Sequence, residues 1–178
     1  LGLRLYSLYK NREIKDSKNL TLYKRDKNTF ITDTVNSIGT LGFGIQAFDR
    51  QDLASNKNGV YKINTYIDND TLISIDFSKF SFEETKHINR YIDYSEFKIN
   101  KRRFQKLFIQ KNNPLSMYKT ERNHGVISLI ESNKHLIKIE VLDFKKNIIK
   151  IFVPIKGNSN NDILNNDIIL SNEEFYID

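Results

Sequence analysis

Three histidines, a carboxylate-bearing loop and one short basic cluster are the parts of this 178-residue chain whose side chains could do chemistry. A zinc ion needs about three or four converging ligands. His87, His124 and His135 do not sit in a ligating pattern: Tyr91 stands four residues after His87, and the other two are followed by Gly125-Val126 and Leu136-Ile137. They read as ordinary surface or half-buried side chains. Asp49, Asp52 and Asn56 form a calcium candidate, but calcium takes roughly six to eight oxygens and the spacing is not that of an EF-hand. A hydrogen-bonded loop is the better reading. Glu83 and Glu84 are neighbours on a predicted helix, where adjacent residues do not face each other, and acidic residues suit a helix start. They are not an acid/base pair. Gly42-Phe43-Gly44 lacks the third glycine and the helix start of a dinucleotide fingerprint. No catalytic residue, cofactor site or metal site is therefore expected.

The elements that would position these residues are mostly strands. Leu1, Leu3 and Leu5 alternate with Gly2 and Arg4, which predicts a half-buried strand. Residues 10–19 are polar and read as a loop. Leu20–Lys24 and Phe30–Ile38 read as strands. The stretch 39–63 is the centre of the chain: two strands joined by a polar loop. Leu41, Phe43, Ile45 and Ala47 share one face, and Gly42, Gly44, Gln46 and Phe48 share the other. Two glycines on one strand face predict a closely packed neighbour or a bulge. Asn58-Gly59 is a turn signal, since both residues tolerate positive φ. Any binding surface is expected first in this loop, at Asp49, Arg50, Asp52, Asn56 and Asn58, because loops on a rigid scaffold commonly carry recognition.

Alternation over Tyr61–Ile67 and Ile73–Phe77 predicts a hairpin, and residues 135–142 with 149–155 predict the clearest one in the chain. Ser81-x-x-Glu84 is a capping-box pattern, and Ile88, Tyr91 and Ile92 follow at helical spacing, so one helix is expected over about 82–93. Tyr94–Asn100 reads as extended or loop, Phe104–Ile109 and Leu115–Tyr118 as strands, and Arg122-Asn123-His124-Gly125 as a hairpin turn. Gly157–Asp162 is a linker by composition. Residues 163–178 read as the start of a further β module or a docking arm. The domain proper is 1–156.

Composition narrows the classes. Hydrophobic residues at 39% can build a core, and charged residues at 28% argue against wholesale disorder. The net charge of +6 comes from Lys and Arg spread among 22 acidic residues, and the densest basic run is only Lys101-Arg102-Arg103. Nucleic-acid binding is not expected from so diffuse a charge. There is no cysteine, which excludes disulfide and thiolate chemistry. No run of about 18 apolar residues exists, so no helical membrane span is expected. The chain opens on Leu1 and stops in Phe175-Tyr176-Ile177-Asp178, and it reads as a piece of a longer protein.

Three groups of residues carry a family resemblance. They are Gly42-Phe43-Gly44-Ile45-Gln46-Ala47-Phe48-Asp49 with Asn56-Lys57-Asn58-Gly59-Val60-Tyr61, then Phe80–Thr85 with Ile92-Asp93-Tyr94, then Asn113–Tyr118. Together they resemble the β-domain downstream of the catalytic domain in Gram-negative lysostaphin-type (LytM-type) zinc metallopeptidases, which are peptidoglycan endopeptidases. The resemblance covers roughly residues 1–155. It implies a periplasmic or other extracytoplasmic location. It also implies a parent catalytic domain that holds zinc through His-x-x-x-Asp and His-x-His, a pattern absent here. Peptidoglycan or an envelope protein is the implied partner.

Short strands with one interrupting helix predict an antiparallel, immunoglobulin-like β-sandwich, with a jelly roll as the alternative. The expected function is that of a non-catalytic accessory domain of such an endopeptidase. A free-standing binding or adhesion module of an envelope complex is the alternative.

Overall fold

The computed structural model describes residues 1–47, 49–50, 57–58, 60–78 and 82–158. The strands are β1 (Gly2–Leu8), β2 (Ile14–Leu20), β3 (Tyr23–Lys24), β4 (Thr29–Ile31), β5 (Val35–Ser37), β6 (Gly39–Gln46), β7 (Asp49–Arg50), β8 (Lys57–Asn58), β9 (Lys62–Ile67) and β10 (Asp70–Asp76). A 3-10 helix (Phe82–His87) then leads into α1 (Ile88–Tyr91) and α2 (Tyr94–Asn100). After these come β11 (Gln105–Lys106), β12 (Tyr118–Glu121), β13 (Ile127–Leu129), β14 (Lys134–Leu142) and β15 (Ile148–Gly157).

The smaller sheet runs β11-β6-β1-β2 and is antiparallel. β13 shares with β11 the edge of β6 that β1 leaves open. The larger sheet runs β12-β10-β9-β14-β15-β4-β3, and β5 also pairs with β15. It is mixed, because β4 and β5 both run parallel to β15. Leu3 and Leu5 of β1, Leu41, Phe43 and Ile45 of β6, and Ile127 and Leu129 of β13 belong to one buried cluster with Ile63, Ile75, Ile139 and Val153 of the larger sheet. The alternation seen in the sequence thus turns two inner faces toward a shared core, and the architecture is β-sandwich-like.

The two predicted hairpins form, as β9–β10 and β14–β15. Several other expectations are corrected. Residues 10–19 contain most of β2, which pairs with β1. Its polarity suits an edge strand that is only partly covered. The strand expected over Phe30–Ile38 is two short strands, each pairing with a different part of β15. Arg122–Gly125 is a turn but not a hairpin: β12 before it pairs in the larger sheet, and β13 after it pairs in the smaller one. A Cβ on Gly125, at φ +74°, would stand 2.6 Å from the Leu107 carbonyl oxygen, so glycine is what lets the chain cross there.

The helix expected over 82–93 is broken. Its first part is 3-10, and α1 stops at Ile92, which is extended and bridges to Gln105. Asp93 then caps α2, accepting from the Glu96 backbone N–H at 3.1 Å, so 94–100 is helical rather than extended. Glu84 accepts from the Ser116 N–H and hydroxyl at 2.6 and 3.0 Å; Ser81, the other half of the expected capping box, lies outside the described residues. Only Gln105–Lys106 of the expected strand 104–109 is strand, and the one expected at 115–118 begins at Tyr118. Gly157 ends β15, its N–H donating to the Asn133 carbonyl at 2.7 Å, and the Asn158 N–H donates to Ser37. The rest of the expected linker and the 163–178 segment lie outside the described residues.

The outer face of the smaller sheet is also covered. A Cβ at Gly42 would lie 2.5 Å from Cδ1 of Phe108, and one at Gly44 would lie 2.7 Å from Cε2 of Tyr6. The packed neighbour anticipated for the glycine face is therefore this aromatic pair, whose ring centroids are 5.5 Å apart in an edge-on arrangement. Tyr6, Leu8, Phe108 and Val126 form a second buried cluster there. Gly42→Ala should cost about 1–3 kcal/mol through overpacking. In a Phe108→Ala background most of that cost should vanish, as read from urea unfolding of the four variants. An equal cost in both backgrounds would refute the close-approach explanation.

Candidate functional site

Of the residues singled out from the sequence, the three histidines lie on separate elements. Asp49 and Arg50 pair through their backbones with Asn58 and Lys57, forming the base of a hairpin. Asp52, Asn56 and Gly59 lie outside the described residues, and with them the calcium candidate and the tip of the proposed binding loop. His87 ends the 3-10 helix. His124 occupies the 122–126 turn at φ +55°. His135, on β14, pairs through Nδ1 with the Asp68 carboxylate. Among the described residues, no group of three or more His, Asp or Glu could hold a metal ion. The basic cluster ends α2: Lys101 takes the left-handed C-cap conformation, and the Arg103 guanidinium lies 5.2 Å from the Phe97 ring centre.

The titratable groups that do converge come from distant parts of the chain, and as a set they match no local motif. Arg4 projects from β1 onto the covered outer face. Its Nη1 lies 3.2 Å from Glu96 Oε2 and donates to Asn19 Oδ1 at 2.9 Å. Its Nη2 donates to Ser17 Oγ at 2.9 Å, and its Nε is 3.6 Å from Asp93 Oδ2. The same Asp93 oxygen accepts the Tyr6 hydroxyl at 2.9 Å. Burial, and then the Asp93 charge, push the Tyr6 phenol far above its ordinary value, so it stays protonated and donates. Strands β1 and β2 are thereby joined to the start of α2 through one half-buried guanidinium and two buried carboxylates. Asp93 is three residues from Glu96 but 87 from its phenol partner Tyr6. Only a long-range register connects them, which explains why no local motif announced the set.

Beside it, Lys106 of β11 is 4% exposed. Its ammonium donates to Gln110 Oε1, and Gln110 Nε2 donates to Glu13 Oε2 at 3.2 Å. Burial lowers Lys106 to about 8, although the Asp93 and Glu13 carboxylates favour its charged form. The arrangement joins β1, β2, β11 and the start of α2, with Asp93, Glu96, Lys106 and Gln110 buried and Glu13 and Asn19 exposed at its rim.

Gln110 also borders an open groove of about 540 Å3 between the β1–β2 turn and residues 109–114. Arg12, Ile109, Asn112, Asn113, Pro114 and His124 complete its walls. Among the described residues, no helix is long and apolar enough to cross a membrane.

Lys106 makes stability depend on alkaline pH. Below about pH 8 it is charged in both the folded and the unfolded chain, and folding buries an ammonium. Above pH 8 the folded chain releases that proton, while the unfolded chain holds it up to about 10.5, so the unfolded state binds more protons and stability rises with pH. The expected gain between pH 8 and 10 is about 2 kcal/mol. Tyr6, Tyr66, Tyr91 and Tyr118, whose phenols burial raises, oppose this gain as the pH approaches 10, so it is read from chemical denaturation as the difference between the parent chain and Lys106→Met. The same pH profile in both chains would contradict the burial of a charged Lys106.

No protein-family model, no curated protein and no solved structure matches this chain.

Proposed function

We propose that the chain is a non-catalytic accessory domain of a cell-envelope zinc endopeptidase that acts on peptidoglycan cross-links. Its work is to position the catalytic domain and to hold the wall or an envelope partner outside the cytoplasm. Zinc belongs to the catalytic domain in this reading. The sandwich is read as immunoglobulin-like, with the 49–59 stretch as its contact loop.

One observation chiefly supports the reading. The segments that carry the family resemblance are tied to one another through their ionisable side chains. Glu84, of the 80–85 segment, holds Ser116, of the 113–118 segment, through two hydrogen bonds. Asp93, of the 92–94 segment, receives the hydroxyl of Tyr6, whose ring occupies the space left by Gly44 of the 42–49 segment. Residues that distinguish the resemblance are thus spent on holding a rigid body together, which suits a scaffold more than a reaction centre.

The test is sedimentation of the purified domain with peptidoglycan sacculi in zinc-free buffer, followed by analysis of the supernatant. The expected result is co-sedimentation with no release of muropeptides. Cleavage by the domain alone would overturn the non-catalytic assignment, and a domain left wholly in the supernatant would overturn wall binding.

A further inference from the structure

The groove beside the β1–β2 turn carries a feature that the proposed accessory role does not use. Arg12 sits in that turn at φ +66°, where its N–H donates to the Tyr9 carbonyl at 2.8 Å and the Tyr9 N–H donates to the Glu13 carbonyl at 2.9 Å. The backbone therefore fixes where its side chain leaves the turn. Its Nε is buried and has no hydrogen-bond partner. A desolvated guanidinium N–H without an acceptor is costly. The nearest carboxylate in sequence, Glu13, is engaged by Gln110. The opposite wall supplies the Asn112 and Asn113 amides together with Ile109 and Pro114. Asn113 is itself held, donating to the Tyr118 hydroxyl at 3.0 Å, and Asn112 is set at φ +59°.

We propose that this groove binds the free carboxyl end of a short peptide, with the Arg12 guanidinium taking the carboxylate and Ile109 and Pro114 taking the aliphatic side chain beside it. The planar guanidinium fork matches a carboxylate in two parallel hydrogen bonds. The one arginine in the lining, with amides, apolar surface and the single imidazole of His124 around it, fits a singly charged group with a peptide bond behind it. A volume of about 540 Å3 falls within the usual range for a small-ligand cleft. The inference stands on this geometry and is independent of the endopeptidase reading.

The test is an NMR titration of the 15N-labelled domain with N-acetyl-alanyl-alanine, with its C-terminal amide, and with acetate. The free acid should shift the amide signals of Arg12 and Asn112. The C-terminal amide should bind at least about tenfold more weakly, since a charge-assisted pair is lost. Acetate should bind more weakly than the dipeptide because it lacks the apolar contact. Arg12→Gln, checked for native signal dispersion, should abolish the response to the acid. Equal binding of acid and amide, or a response unchanged in Arg12→Gln, would overturn the carboxylate assignment. Acetate binding as tightly as the dipeptide would overturn the peptide. An absence of shifts at Arg12 and Asn112 with every probe would overturn the site. If Arg12→Gln does not fold, the acid–amide comparison in the parent chain decides.

Discussion

The outer face of the smaller sheet can be covered because β6 offers no side chain at Gly42 and Gly44. Any Cβ at those positions would run into the rings of Phe108 and Tyr6 at less than van der Waals distance. With the space open, the Tyr6 ring fills the place of a Gly44 side chain and its hydroxyl reaches Asp93. Phe108 closes over the other glycine and packs edge-on against Tyr6, an arrangement worth about 0.5–1.5 kcal/mol beyond its buried area. The backbone follows the rings: the Leu107 N–H donates to Phe43, the Asp93 N–H to Phe104 and the Ile109 N–H to His124. Residues 92–110 are thereby bound into the sandwich, with β11 paired at the edge of β6, Ile92 and Leu107 in the shared core and Phe108 over the outer face.

The polar network beside that segment follows from the same approach. Burying Asp93 and Glu96 beside the half-buried Arg4 takes two carboxylates out of water, a cost that the pairing does little more than offset. The network is better understood as a device of register than as a source of stability. Asp93 can meet Tyr6, Arg4 and the α2 N-terminus together only when β1, β2 and α2 are correctly placed. Removing one partner would strand a buried charge, at a cost of about 3–5 kcal/mol. Lys106 is held nearby in the same way by Gln110.

How much of this was legible in the sequence follows from the range of each interaction. The hairpins β9–β10 and β14–β15 were visible because strict alternation is a local signal. The glycine face of β6 was visible because two missing side chains in one strand demand a close neighbour. The identity of that neighbour was hidden, since Phe108 lies more than sixty residues away from Gly42 in an irregular segment. β2 was hidden because an edge strand needs little apolar surface, so its Lys15, Asp16 and Lys18 read as loop. The break at Ile92 was hidden because apolar spacing continues through it. What ends α1 is an extended bridge to Gln105 and the preference of Asp93 for capping the next helix. Neither the buried network nor the Arg12 groove could be found by motif. Each depends on residues from separate turns and strands, and the side chains that looked chemical in sequence, the histidines above all, lie on separate elements.

The central claim is that the segment over the smaller sheet opens only when the sandwich itself opens. Native-state hydrogen exchange tests it directly, by comparing the amides of Asp93, Leu107 and Ile109 with those inside β6 and β14. The two groups should exchange with the same opening free energy and respond alike to low concentrations of urea. Markedly faster exchange of the covering amides, insensitive to urea, would show that this segment lifts off on its own and is not held by the sandwich.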